Sequence, residues 1–379
     1  MIYIVYKSLI QVGGAEKFLI EFLKELQKIK SVKLICKEVD IDTLNFFSLS
    51  INDIIIPKKN NYTEWFVLLN SKIKKNDTVI VQSGFKDIYL ISLLKKISLI
   101  FFLHHPHFNS LDHFDILSVF HSKKRKIFLE NEENKRFYKK LLMKYDNSSS
   151  YLKTNLLAIL NYLSIRKADD IIVLSEYAKE EKKLYFNKNS TYIPPAISTK
   201  FIDESKSNSN IQKTDQIIYF GRLSKEKRVD IIIDSFKKLN SDFKLKIIGS
   251  GEELENLKNR AGDNQNIIFT GFIDNYKLFK EIKKSKLMIT LEWADYNLTV
   301  YESIVLGTRV LFGKTFEVEN FDIPLIKNNM LFYCNPNIKE VSDKIESIIK
   351  MDDPLVDDYK FLQELTWGKY VEEFNKRIL

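Results

Sequence analysis

Apolar residues along this chain recur in two alternating registers. Short β-branched or aromatic runs (IYIVY from Ile2, VKLIC from Val32, TVIVQ from Thr78, SLIFFL from Ser98) are separated by stretches of helical apolar spacing, AEKFLIEFLKELQKI and KDIYLISLLKKI. That alternation is the mark of βαβ units and predicts an α/β protein with parallel sheets. The rhythm breaks between about 105 and 150, which reads as an insertion, and resumes with DDIIVLS at 169–175, a helix from Glu176, and TYIPP at 191–195. The stretch STKFIDESKSNSNIQKTD at 198–215 is polar and without hydrophobic periodicity, so it is the expected interdomain linker. A second series follows: QIIYF, VDIIIDSFKKL, FKLKIIG, EELENLKNR, NIIFTG, NYKLFKEIKK, KLMITLE, TVYESIVL and TRVLF. Two parallel-sheet domains are therefore expected, meeting near residue 198.

Composition narrows the function. A chain of 379 residues with 45% hydrophobic and 29% charged residues suits two folded domains. The net charge of +9 invites nucleic acid, yet only eight of the 59 basic residues are Arg, the usual residue of bidentate phosphate and base recognition, so no nucleic-acid partner is expected. Cys36 and Cys334 are far apart and form no CxxC pair, which argues against a disulfide framework or a thiolate zinc site and fits a reducing cytoplasm. MIYIVYK reads as a strand and not as a signal peptide, and Lys interrupts the long apolar stretches before they reach spanning length. All five histidines fall between 104 and 121, with no carboxylate or thiolate at matching spacing, so no metal is expected.

Glycine is scarce, at 11 residues, and most glycines stand directly after predicted strands: Gly13 and Gly14, Gly221, Gly249 and Gly251, Gly271, and Gly307 before RVLF. Ligands of open α/β sheets bind at the carboxyl ends of strands, where glycine permits close approach and helix N-termini supply N–H groups; the alternative for any single glycine is an ordinary turn. No GxxxxGK[ST] motif occurs, and GSGEEL lacks the third glycine of a dinucleotide fingerprint. The phrase IIYFGRLSKEKRVDIIIDSFKKL sets Arg222 and Lys227 on a strand-to-helix loop beside a helix N-terminus, a fitting seat for a pyrophosphate. Its alternative reading is a solvated surface cluster.

With these motifs in view, nearly the whole chain resembles the retaining glycosyltransferases of GT-B fold, the glycosyl transferases group 1. The resemblance implies two Rossmann-like domains facing each other across a cleft: an acceptor-side domain at 1–198, a nucleotide-sugar-binding domain at 199–360, and a closing helix at 361–379 that crosses back to the first. GGAEKF is similar to the glycine loop under the donor phosphates, which implies Gly13 and Gly14 there. FGRLSKEK implies Arg222 and Lys227 on the diphosphate; KLKIIGSGEELENL, with Gly249, and NIIFTGF are similar to the next two strand ends. TVYESIVLGTRVLF implies Glu302 on the donor ribose, and the preceding loop implies donor contacts from Asp295, Asn297, Leu298 and Thr299. IFFLHHP implies that His104 faces the donor sugar, and ELTWGKYVEEF resembles the closing helix with its Trp367. Two departures stand out. Ala294 occupies the place, eight residues before Glu302, where the family has a first glutamate near the donor sugar's hydroxyls; Asp295 and Glu292 are the nearby candidates to substitute for it if the loop is shifted. Arg228 replaces the glycine that usually follows the Lys, either as a further phosphate contact or as a side chain pointing outward.

The resemblance implies transfer of a sugar from a nucleoside diphosphate, UDP- or GDP-linked, to a hydroxyl of a glycan or lipid-linked acceptor, with retention of configuration, as in bacterial surface polysaccharide synthesis (capsule or O-antigen). No cofactor is implied, since the nucleotide sugar is a substrate. Catalytic roles fall to Arg222, Lys227 and His104. A sugar-nucleotide epimerase of the same fold, and a degenerate transferase acting as a partner protein, are the rivals. Between Lys123 and Lys144 nine basic and three acidic residues interleave with Phe128, Phe137 and Tyr138. Such a segment suits an anionic membrane surface, here the inner leaflet, or a solvated helix face. The expected location is cytoplasmic, with peripheral attachment to that membrane.

Overall fold

The computed structural model describes residues 1–10, 12–82, 85–103, 160, 162–194, 196–207, 211–292, 297–313 and 320–379. The chain divides into two compact units, Met1–Tyr192 and Ile193–Leu379. His104, Ala294, Asp295 and the basic segment 123–144 lie outside the described residues.

In the first unit, strands β1 (Ile2–Leu9), β2 (Val32–Val39), β3 (Ile54–Ile55), β4 (Thr78–Val81), β5 (Ser98–Leu103), β6 (Asp170–Val173) and β7 (Thr191–Tyr192) form one sheet in the order β3-β2-β1-β4-β5-β6-β7. Every pairing is parallel. Its described helices are α1 (Gly14–Gln27), α2 (Ile41–Phe46), α3 (Tyr62–Lys72), α4 (Phe85–Leu94) and α5 (Glu176–Phe186). The start signals are chemical: Asp40, Asn61 and Ser175 each accept a hydrogen bond from a backbone N–H of the first turn of α2, α3 and α5. Helix α1 presents Phe18, Leu19, Phe22, Leu23 and Leu26 as a buried stripe, with the Phe18 and Phe22 rings edge-on to Phe102 at 5.5 and 5.0 Å.

The second unit carries β8 (Thr214–Phe220), β9 (Lys244–Ile248), β10 (Ile267–Gly271), β11 (Ser285–Thr290), β12 (Arg309–Gly313) and β13 (Leu331–Cys334), in the order β10-β9-β8-β11-β12-β13. These pairings too are all parallel. The described helices of this unit are α6 (Thr199–Lys206), α7 (Val229–Phe236), α8 (Leu254–Ala261), α9 (Asn275–Lys284), α10 (Leu298–Val305), α11 (Ile323–Lys327), α12 (Ile338–Ile348) and α13 (Trp367–Ile378). Strand β8 shows why the apolar run is continuous: Ile217 and Tyr219 enter one buried cluster, Ile218 and Phe220 the other, so both faces are covered.

The expected linker is a correction. Its first part is α6, whose Phe201 and Ile202 are buried in the core of the second unit, with the Phe201 ring 4.8 Å from that of Phe279. Two adjacent apolar residues suffice to dock a two-turn helix but are too few to mark a period. Strand β13 and helix α12 extend the alternating series beyond TRVLF.

In each sheet the strand order reverses between the first and fourth strands of the unit, β1 and β4 or β8 and β11. Beyond the ends of β8 and β9 the two backbones stay in contact: Gly221 N–H donates to the Ile248 carbonyl at 3.0 Å, and Leu223 N–H to that of Ser250 at 2.9 Å. Gly249 has φ +133°, and a Cβ there would lie 1.9 Å from the Gly221 carbonyl oxygen; one on Gly251 would lie 2.3 Å from that of Leu223. Gly249→Ala should therefore destabilise the fold by about 3 kcal/mol or more, whereas Gly14→Ala, whose Cβ meets nothing within 4 Å, should cost less than about 1 kcal/mol. Urea unfolding of the two variants checks this; equal stability would contradict it.

Candidate active site

The loop between β8 and α7 is held from beneath. Leu223 is fully buried and Ser224 nearly so, while the Tyr219 hydroxyl donates to the Arg222 carbonyl at 2.8 Å. Lys225–Lys227 form a single 3-10 turn, and Arg228 then takes the left-handed conformation, φ +52°, to start α7. A left-handed residue at this point accounts for the glycine usual there. Arg228 itself is buried, at 5% exposure, and does not point outward.

Two of the four cations of this loop, Arg222 and Lys227, face carboxylates. Lys227 forms an ion pair with Glu292, two residues past the end of β11, and the two side chains are only 27% and 12% exposed. Arg222 is half exposed, with its Nε 3.9 Å from Glu252. Glu226, on the same turn, accepts from the Ser224 hydroxyl at 2.5 Å. Each of the two thus has a carboxylate of the chain itself beside it. Burial lowers the Lys227 ammonium pKa most, Glu226 pulls it back up and Arg222 lowers it further, leaving it at about 8.

On the neighbouring strand, Asn297 caps α10: its side chain accepts from Thr299 N–H at 3.0 Å and from the Thr299 hydroxyl at 2.7 Å, and donates to the Thr290 hydroxyl at 3.2 Å. Asn297 thereby ties the start of α10 to the end of β11. Leu298 opens that helix, and Glu302, one turn further, is buried at 1% exposure. Next to Glu302, Tyr301 donates to Asp322 at 3.0 Å, and Tyr333 donates to the same carboxyl at 2.6 Å. Burial raises the pKa of Asp322 despite these two donors.

Gly249, Arg222, Lys227, Glu292, Asn297, Leu298 and Thr299 thus stand at the carboxyl ends of three adjacent strands, β9, β8 and β11, around the reversal point of the sheet. In the sequence Glu292 stands with Asp295 as a candidate substitute for the missing first glutamate; its pairing with Lys227 was not legible there. Glu252 was missed. Gly249 serves first to let two backbones touch.

In the first unit, Gly13 and Gly14 start α1, but the positive end of this helix already faces a carboxylate. Glu16 is buried, its Oε1 accepts from the Tyr6 hydroxyl at 2.6 Å, and its Oε2 lies 2.6 Å from where a Gly13 Cβ would sit. Gln82, at the end of β4, donates to the Ala15 carbonyl at 2.9 Å. Cys36 and Cys334 are free and buried, and burial pushes both thiols up to about 12, so neither is a ready nucleophile. Among the described residues no group of three or more His, Cys, Asp or Glu is placed to hold a metal ion.

Residues 201–360 match the family model described as Glycosyl transferases group 1. Over its whole length the structure is similar to sucrose-phosphate synthase from Thermosynechococcus elongatus, with TM-score 0.68, 12% identity and coverage of 99% of this chain and 97% of that one. It is also similar to Anabaena Alr3699/HepE in complex with UDP-glucose, with TM-score 0.67, 14% identity and coverage of 99% and 98%. This chain has the GT-B fold. In sequence it is 25% identical, over 73% of this chain and 71% of the relative, to an uncharacterized glycosyltransferase, MJ1069, of Methanocaldococcus jannaschii. The family match and the GT-B fold support a glycosyltransferase.

Proposed function

We propose that the chain is a retaining glycosyltransferase that moves a sugar from a nucleoside diphosphate to a hydroxyl of a glycan or lipid-linked acceptor. The observation that carries this reading is the placement of Arg222 and Lys227 on one braced loop at the reversal point of the second sheet, next to the capped N-terminus of α10. Ligands of such sheets sit at that point, and two cations beside a helix start suit a diphosphate. The UDP-glucose held by the Anabaena relative supports a uridine donor.

When the sugar leaves, negative charge develops on the phosphate oxygen that held it. Arg222 and Lys227 stabilise that charge, which is worth more to the transition state than to the intact donor. The departing phosphate takes the proton of the acceptor hydroxyl as the new glycosidic bond forms on the face the diphosphate leaves. Glu302 is assigned to the donor ribose, Asn297, Leu298, Thr299 and Asp295 to the donor, and Gly13 and Gly14 to the donor phosphates. His104 is assigned to the donor sugar. The basic and aromatic segment 123–144 is assigned to an anionic membrane surface near a lipid-linked acceptor.

Arg222→Ala should lower turnover by about 100-fold or more, measured as sugar transfer and UDP release from UDP-sugars; an unchanged rate would refute the assignment. The native protein should float with phosphatidylglycerol vesicles at physiological salt, and the variant with Lys123, Lys124, Arg125 and Lys126 changed to Ser should not. Native protein left at the bottom of the gradient would remove the membrane from the proposal.

A further inference from the structure

We propose that Glu292 is an internal substitute for the donor diphosphate, neutralising Lys227 in the empty protein and setting nucleotide affinity by being displaced. The proposal rests on the donor reading given above and goes beyond it by assigning a role to a residue outside the donor contacts.

The pair spans the reversal point of the sheet. Lys227 rises from the loop after β8, Glu292 from the segment after β11, and these strands are direct neighbours. Both side chains are largely withdrawn from water, so their attraction exceeds that of a surface pair, while a lone ammonium at this position would be poorly solvated. Removing either partner leaves a cost on the other. A ligand anion arriving at Lys227 must therefore supply more than the carboxylate it replaces.

A diphosphate meets that demand and a weaker anion does not. It brings several negative charges and can engage Arg222 at the same time, since Arg222 is half exposed and its own carboxylate, Glu252, stands 3.9 Å from the Nε. The exchange at Lys227 is then one carboxylate for one phosphate group, with the gain coming from the second cation. Displacement also releases Glu292 as an unpaired carboxylate, which opposes retention of the nucleoside diphosphate product. Glu292 thus lowers affinity in general but only for ligands that reach Lys227.

The test is a cycle of four proteins, native, Glu292→Gln, Lys227→Gln and the double variant, titrated calorimetrically with UDP and with GDP. Glu292→Gln should bind the preferred diphosphate about tenfold more tightly than the native chain, corresponding to about 1.4 kcal/mol. In the Lys227→Gln background the same change should alter affinity less than twofold, which a purely structural role of Glu292 would not produce. Uridine and guanosine, lacking phosphate, should show no gain in Glu292→Gln. If the Gln variant does not fold, Glu292→Asp, which keeps the charge but shortens its reach, should give a smaller gain in the same direction. Native binding of a diphosphate with equal or weaker binding by Glu292→Gln, or by Glu292→Asp where it replaces it, overturns the role of Glu292 and leaves the donor reading standing. No binding of either diphosphate by the native chain overturns both.

Discussion

The second unit depends on two backbones running closer together than side chains allow. Past the ends of β8 and β9 the ladder continues through Gly221, Leu223, Gly249 and Ser250, and the space for a Cβ at Gly249 is filled by the Gly221 carbonyl. This contact fixes where the chain turns after β8. Leu223 then anchors the loop in the core and the Tyr219 hydroxyl holds the Arg222 carbonyl, so the positions of Arg222 and Lys227 follow from backbone geometry.

Two of the four cations of the loop stand beside carboxylates. Arg222 faces Glu252, Lys227 faces Glu292, and Glu226 shares the turn. A buried cation without a counterion is costly, and Lys227, largely withdrawn from water, has the Glu292 carboxylate beside it. The same economy marks the first unit, where the Glu16 carboxylate lies against the start of α1 and takes a hydrogen bond from Tyr6. The start of α1, where donor phosphates were expected, meets the Glu16 side chain, and the start of α10 is capped by Asn297.

Much of this architecture was legible in the order of the residues. Continuous apolar runs such as QIIYF and KLMIT marked strands covered on both faces, and the glycines after them marked the carboxyl ends of the strands. Helix α6 was not legible, because Phe201 and Ile202 are its only large apolar residues and a docked pair carries no period. Cation positions were readable and their counterions were not. Glu252 and Glu292 come from separate strand ends, and only the register of β9, β8 and β11 brings them beside Arg222 and Lys227. Likewise Gly249 was recognisable as a strand-end glycine, while the carbonyl that forbids a side chain there belongs to a residue 28 positions earlier.

The account stands or falls on where a nucleoside diphosphate binds. A crystal structure of the full chain grown with UDP tests this most directly. The account requires the diphosphate against Arg222 and Lys227, with the Lys227–Glu292 contact broken. A diphosphate bound elsewhere on the chain, with Lys227 still paired to Glu292, would contradict it.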